Sequence, residues 1–221
     1  MRRIILLQLA LLSVSLSAQN LQLHYDFGKD RKFLTSTIEM FMPDSMGSTF
    51  FFTDFDYGAE KNAMGLAYFE IARYITLPVL DRKLDLSLQF NDGLGRAADL
   101  GFPIGQVWLA GLSYPMDLKV MEVKVDLLYR RADYSEGGDW QFTAAWFRPF
   151  GEERFLFSGF VDLWSETRDG NHQIVFQAEP QLWANVYQKL FLGTELEISH
   201  NFIPGSKGLQ ALPTAGLMWY P

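Results

Sequence analysis

Apolar and polar residues alternate along most of this chain, from Leu21 to its last residues. In the first such segment, 21–27, the polar side chains of Gln22, His24 and Asp26 separate leucines and aromatic residues. Successive side chains of a β-strand point to opposite faces, so this alternation predicts strands with one apolar face and one polar face. The same regular alternation occurs in 84–91, 121–130 and 190–199. We therefore predict an all-β protein.

Eight further segments alternate less regularly and raise the predicted number of strands to twelve. They are 33–42, 49–57, 66–75, 105–114, 139–147, 154–165, 172–184 and 210–220. Arg73 does not fit the pattern, because it shares a face with Phe69 and Ile71; a bulge or a position near a membrane interface would explain it. No stretch after residue 18 has the roughly 18 consecutive apolar residues that a membrane-spanning helix needs, which excludes helical membrane proteins.

Residues 1–18 have the features of a secretory signal peptide. Arg2 and Arg3 precede an apolar stretch, 4–12, that is too short to cross a bilayer, and mostly small residues follow up to Ala18. Removal of this segment leaves 19–221 as the mature domain. The chain contains no cysteine, which excludes disulfide scaffolds, thiolate metal sites and the lipid-modified cysteine of bacterial lipoproteins.

The acidic residues of the strands almost all lie on the polar faces. A soluble β-sandwich or lipocalin-like barrel shows the same alternation but turns its apolar face inward, whereas an outer-membrane barrel turns that face toward lipid. Export, an even strand number and longer connections at every second position favour the membrane barrel, which has short periplasmic turns and longer extracellular loops. We predict a single transmembrane antiparallel up-and-down β-barrel of about twelve strands in the bacterial outer membrane. A soluble periplasmic β-protein is the alternative.

Two parts of the sequence resemble known outer-membrane proteins. The tail, 211–221, looks like the closing strand of bacterial outer-membrane barrels, which usually ends in an aromatic residue; here Pro221 follows Tyr220. The segments STFFFTDFDYG (48–58), FEIARY (69–74) and FNDG (90–93) resemble the nucleoside-specific channel-forming, Tsx-like porin superfamily, and within it a branch of small uncharacterised barrels. The resemblance covers most of the chain and implies a nucleoside channel.

A barrel of this size is expected to enclose a narrow polar passage. Lys124 is the one clear base among the mid-strand charges assigned to the interior, so the lumen should attract cations and disfavour free phosphates. The predicted function is passive diffusion of small polar solutes, nucleosides among them. Aromatic rings would stack on a base while carboxylates accept hydrogen bonds from sugar hydroxyls. The predicted solute-binding residues are Phe50, Phe52, Asp54, Asp56, Tyr68, Glu70, Phe160, Trp164, Glu195 and Glu197.

The expected partners are outer-membrane lipid, the solutes and the barrel-assembly machinery. The net charge of −7 and the scattered basic residues argue against nucleic acid. No metal or other cofactor is predicted, and no enzyme, because the motifs G-x-S-x-G and H-E-x-x-H do not occur. One alternative is a structural or interaction barrel that acts through its extracellular loops and is plugged by loop arginines such as Arg96, Arg130 and Arg131. A less favoured alternative is a hydrolase in which Ser199 or Ser165 meets a histidine.

Overall fold

The computed structural model describes residues 19–28, 31–58, 64–97, 100–168, 170–203 and 205–221. The predicted signal peptide lies outside these ranges. The strand segments found in them are β1 (Gln19–Asp26), β2 (Leu34–Asp44), β3 (Gly47–Tyr57), β4 (Met64–Thr76), β5 (Asp85–Ala97), β6 (Leu100–Pro103), β7 (Val107–Asp117), β8 (Glu122–Ala132), β9 (Asp139–Phe150), β10 (Phe155–Arg168), β11 (Asn171–Ala178), β12 (Gln181–Tyr187), β13 (Leu190–His200) and β14 (Leu209–Trp219). A short 3-10 helix, Leu80–Arg82, precedes β5.

Twelve antiparallel strands form the wall of a closed barrel within the described part of the chain. The segments β11 and β12 follow one another in a single wall position between β10 and β13, and β6 pairs only with β5. The wall closes where β1 pairs with β14, from Leu21 opposite Trp219 to Asp26 opposite Thr214. The predicted twelve-stranded, antiparallel, up-and-down barrel is confirmed.

The two faces of each strand point as the alternation predicts. On β1 the polar residues Asn20, Gln22, His24 and Asp26 are buried, whereas the apolar residues between them are exposed, Leu23 to 42%. Burial inside a closed cylinder places the polar residues in the lumen and the apolar residues on the outside. The barrel is therefore apolar outside and predominantly polar inside, the reverse of a soluble barrel.

The connections differ between the two ends of the barrel. The end that carries both chain termini, here called the terminal end, has the connections 45–46, 77–84, 118–121, 151–154 and 188–189. The opposite end, here called the loop end, has 27–33, 58–63, 98–106, 133–138, 169–170 and 201–208. Most connections at the terminal end are tight turns, as predicted. The exception is 77–84, which contains the 3-10 helix.

Arg73 lies on the outer face near the terminal end. Its guanidinium donates to both oxygens of Asp44, at 2.5 and 3.0 Å, and to the hydroxyl of Thr49. The pairing of β4 with β3 and β5 is in register at this position. Its position near the end of the barrel wall explains why Arg73 breaks the alternation, whereas the regular strand pairing excludes a bulge.

The segment between the predicted strands 84–91 and 105–114 is itself largely strand. Strand β5 continues to Ala97 and pairs with the antiparallel β6, so that Leu94 lies opposite Pro103. Gly93 and Gly95 interrupt the apolar alternation there, which is why the sequence pattern did not extend the strand. The side chains of Tyr68 and Phe102 occupy the space beside these glycines.

The wall position shared by β11 and β12 is interrupted at Glu179 and Pro180. Proline lacks the N–H that a ladder requires, and the pairing with β10 resumes in register from Ala178 to Gln181. Gly159 on β10 has φ +144°, and a side chain there would meet the carbonyl oxygen of Glu179 at 2.3 Å. No helix in the described residues is both long and apolar enough to cross a membrane.

Candidate functional site

The lumen is lined by carboxylates whose hydrogen-bond partners are mostly neutral. The hydroxyls of Thr37 and Thr35 donate to Asp54 and Asp56 on β3, at 2.5 and 2.6 Å. The amide of Gln181 donates to Glu195 on β13 at 2.6 Å. Neutral donors do not cancel the charge of an ionised carboxylate, and a low-dielectric wall strengthens the field of such a charge within the lumen.

Six of the predicted site residues form one patch on the neighbouring strands β3 and β4. The ring of Phe52 lies 6.1 Å from the ring of Phe50 and 6.1 Å from that of Tyr68. The hydroxyl of Tyr68 donates to Glu70 at 2.5 Å, and Asp54 lies opposite Tyr68 in the strand pairing. Together with Asp56, these residues form what we call the β3–β4 patch: Phe50, Phe52, Asp54, Asp56, Tyr68 and Glu70.

The other four predicted residues lie elsewhere on the lumen wall. Glu195 and Glu197 share the inner face of β13, which is separated from the patch by β14, β1 and β2. Phe160 is half-buried on β10. Trp164, also on β10, is buried, and its indole N–H donates to Glu166 at 3.2 Å. The predicted residues therefore occupy three regions of one lumen and do not make a single pocket.

An arginine that the sequence analysis did not single out reaches into the lumen from the loop end. Arg31, in the connection between β1 and β2, pairs with Asp26 at 2.7 Å and with Glu197 at 2.6 Å. We call this group the Arg31 bridge. Burial disfavours the charged guanidinium, but Glu197 and Asp26 outweigh that effect and raise the pKa of Arg31 above its ordinary value. The bridge ties the first connection to β13 across β14.

The three arginines named as candidate plugs lie in strands and not in loops. Arg130 is on the inner face of β8 and is buried. Arg131, the next residue, is exposed on the outer face and donates to the carbonyl of Gly137. Arg96 is exposed on β5. Arg31, from a connection, and Arg130, from β8, therefore reach the lumen in addition to Lys124, the base predicted among the mid-strand charges.

Large side chains fill part of the lumen toward the terminal end. Trp183 on β12 is completely buried and packs with Leu156 and Met218, against which Phe191 and Tyr220 also lie. Its indole covers Gly193 of β13 and reaches Gly216 of β14, where a side chain would contact the ring at 2.3 and 3.2 Å. The two glycines thus let the indole lie flat along the wall, which leaves more of the lumen cross-section free.

Gly193→Ala is expected to destabilise the barrel by about 1–3 kcal/mol, the usual cost of overpacking a filled interior. The added methyl group would meet both the indole of Trp183 and the backbone oxygen of Leu182, at 2.3 and 2.5 Å. The midpoint of urea unfolding in detergent measures the effect. Gly101→Ala is the matched control, because its nearest neighbour would be 3.9 Å away. Equal midpoints for the two variants would contradict the close contact with Trp183.

The serines considered for hydrolysis hydrogen-bond to carboxylates. Ser199 donates to Glu197 at 3.2 Å and Ser165 to Asp139 at 2.9 Å. His24 contacts the hydroxyl of Thr214 at 3.0 Å, and His172 that of Thr167 at 3.3 Å. Among the described residues, no serine is hydrogen-bonded to a histidine side chain. The proposed serine–histidine pair is therefore not formed in this arrangement.

The fold is similar to solved outer-membrane proteins. The NanC porin aligns with a TM-score of 0.59 and 9% identity, covering 92% of this chain and 100% of its own. The KdgM porin aligns with a TM-score of 0.52 and 6% identity, covering 92% and 99%. LpxR from Salmonella typhimurium aligns with a TM-score of 0.51 and 8% identity, covering 93% and 100%. At these identities the likeness concerns the fold alone.

Sequence comparison places the chain in a family. Among curated proteins, none matches it. The family model described as "Domain of unknown function (DUF5020)" matches residues 18–220, and the chain belongs to this family.

Proposed function

We propose that this protein is a bacterial outer-membrane channel through which small polar solutes diffuse passively, nucleosides among them. The observation that carries the proposal is the inverted distribution of side chains. Leu127 on β8 is exposed to 65%, whereas Asp126 beside it is buried in the lumen. An apolar exterior suits acyl chains, and a polar interior suits water and polar solutes. The porin fold and the predicted signal peptide support the same location.

The charge of the lumen favours cations and neutral solutes. Many carboxylates face the interior from β1, β3, β4, β10 and β13, whereas the described inward cations are few, chiefly Arg31, Lys124 and Arg130. Rings of carboxylates select cations in other pores. The β3–β4 patch combines aromatic rings with Asp54 and Glu70, which suits the base and the hydroxyls of a nucleoside. Outer-membrane lipid and the barrel-assembly machinery complete the proposed partners.

Planar-bilayer conductance and liposome swelling test the proposal. Under a potassium chloride gradient, we expect the sign of the reversal potential to show that potassium permeates more readily than chloride. We also expect uridine to enter liposomes that contain the protein. The double variant Asp54→Asn and Glu195→Gln should reduce the potassium-to-chloride permeability ratio about threefold, since it removes two lumen carboxylates whose hydrogen-bond donors are neutral. The matched control is Asp117→Asn at the end of β7, whose side chain is exposed. Absence of both conductance and swelling would refute the channel.

A structural or interaction barrel is the second candidate. Two observations favour it: the Arg31 bridge lies inside the lumen, and the cluster around Trp183 fills part of the terminal end. In that case function would reside in the connections of the loop end. The same bilayer experiment separates the candidates, because a plugged barrel carries no current although it inserts into the membrane.

A further inference from the structure

Arg130 occupies an unusual position in the lumen. It lies on the inner face of β8 and is 4% exposed. Its guanidinium lies 5.3 Å from the ring of Trp164 and 5.5 Å from that of Tyr134, and its Nη2 donates to the Tyr134 hydroxyl. Its Nη1 is buried and has no hydrogen-bond partner. A buried, charged donor without a partner is costly, so the site is suited to an acceptor from outside the protein.

The other cations that reach the lumen from the described residues have carboxylate partners. Arg31 pairs with Asp26 and Glu197, Lys124 with Asp85 at 3.8 Å, and Arg168 with Glu166 at 3.0 Å. Asp139 lies opposite Arg130 in the strand pairing, but its two oxygens accept from Ser135 and Ser165, at 2.5 and 2.9 Å. Arg130 thus has no ion pair with any described residue, although carboxylates are abundant in the lumen.

A carboxylate oxygen on the same wall is also without a partner. Asp162 lies on β10, two residues before Trp164 on the same face, and its Oδ1 is buried and unbonded. Alternate residues of a strand are about 7 Å apart, so Asp162 is close to the ring that contacts Arg130. The wall formed by β8, β9 and β10 therefore presents an unbonded guanidinium N–H and an unbonded carboxylate oxygen near one aromatic ring.

The geometry points to a subsite for zwitterionic solutes, in which Arg130 binds a solute carboxylate and Asp162 binds its ammonium group. The inference rests on the proposed channel function and adds a class of solute to it, at a place separate from the β3–β4 patch. A solute with net negative charge would be repelled by the surrounding carboxylates. A simple cation would leave Arg130 without a partner. A zwitterion is electrically neutral as a whole and satisfies both groups.

Liposome swelling with two solutes of similar mass tests the subsite, namely glutamine as the zwitterion and ribitol as the neutral solute. In the wild-type protein we expect glutamine to enter faster than ribitol. Arg130→Gln should lower the glutamine-to-ribitol rate ratio about fivefold, because it removes one charge-assisted contact with the carboxylate. Arg130→Lys keeps the charge and should retain most of the ratio. The control is Lys124→Gln, which removes a cation that already has a partner and should leave the ratio unchanged.

The outcomes separate the two proposals. Failure of both solutes to enter with wild-type protein would overturn the channel and the subsite together. Entry of ribitol with a ratio that Arg130→Gln does not change would overturn the subsite and leave the channel intact. Heat-modifiable migration in detergent gels shows whether each variant is folded. If Arg130→Gln does not fold, the wild-type ratio is measured at low and high salt: a decrease at high salt supports the subsite, and an unchanged ratio overturns it.

Discussion

Leu127→Arg is expected to lower the free energy of unfolding by about 2–4 kcal/mol when the protein is folded in lipid bilayers. Leu127 lies in the middle of β8 on the outer face and is exposed to 65%. If acyl chains cover that face, a guanidinium there must either lose its hydration or distort the bilayer, and both are costly near the midplane. Urea unfolding in vesicles, followed by tryptophan fluorescence, measures the change.

An arginine introduced on the lumen face of the wall provides the control. Gln89 faces the lumen from β5 and donates to Asp126 at 2.9 Å. Gln89→Arg would place a guanidinium beside that carboxylate, so a stability close to that of the wild type is expected. If Gln89→Arg were the costly variant and Leu127→Arg the neutral one, the outer face would not be in contact with lipid.

Arg31→Ala is expected to destabilise the barrel by about 3 kcal/mol, the lower end of the range for breaking a buried ion pair from one side. The side chains of Asp26 and Glu197 are 4% and 11% exposed, and both would lose their cationic partner. Arg31 itself is partly exposed, which is why we expect the lower end of the range. The measurement is again the urea midpoint, here together with the single-channel conductance, which should rise for cations.

Two further variants test whether the effect belongs to the Arg31 bridge. Arg154→Ala removes an exposed arginine at a turn of the terminal end and should change the midpoint little. The triple variant Arg31→Ala, Asp26→Asn and Glu197→Gln removes the bridge entirely and should recover most of the loss, because no unpaired charge is left buried. A triple variant as unstable as Arg31→Ala would show that the charges do not cause the effect.

The architecture was accessible from the sequence because strand alternation is a local property. Leu21, Leu23 and Phe27 could be assigned to one face, and Gln22 and His24 to the other, without any knowledge of neighbouring strands. The structure confirms these assignments. The choice between an apolar interior and an apolar exterior needed further information, namely the predicted export signal and the strand count, since alternation alone is the same in both cases.

The arrangement of the candidate site was less accessible, because it depends on contacts between distant parts of the chain. Arg31 lies in a connection, and its sequence context gives no sign that it bonds Glu197, 166 residues away. Trp183 shares the alternation of any inward residue, and only the positions of Gly193 and Gly216 on neighbouring strands show how its ring is accommodated. Separating the ten predicted residues into three regions likewise required the strand order.

The pairing of β1 with β14 has a consequence for assembly. The N-terminal strand acquires its second neighbour only when the C-terminal strand is in place. Until then two rows of backbone amides and carbonyls are unsatisfied, and hydrocarbon offers them no hydrogen-bond partners. An incomplete wall is thus incompatible with the bilayer core. Insertion must therefore be coupled to the pairing of residues 209–219 with residues 19–26. During assembly, another component would have to cover the exposed backbone edges of β1 and β14 until the two strands pair.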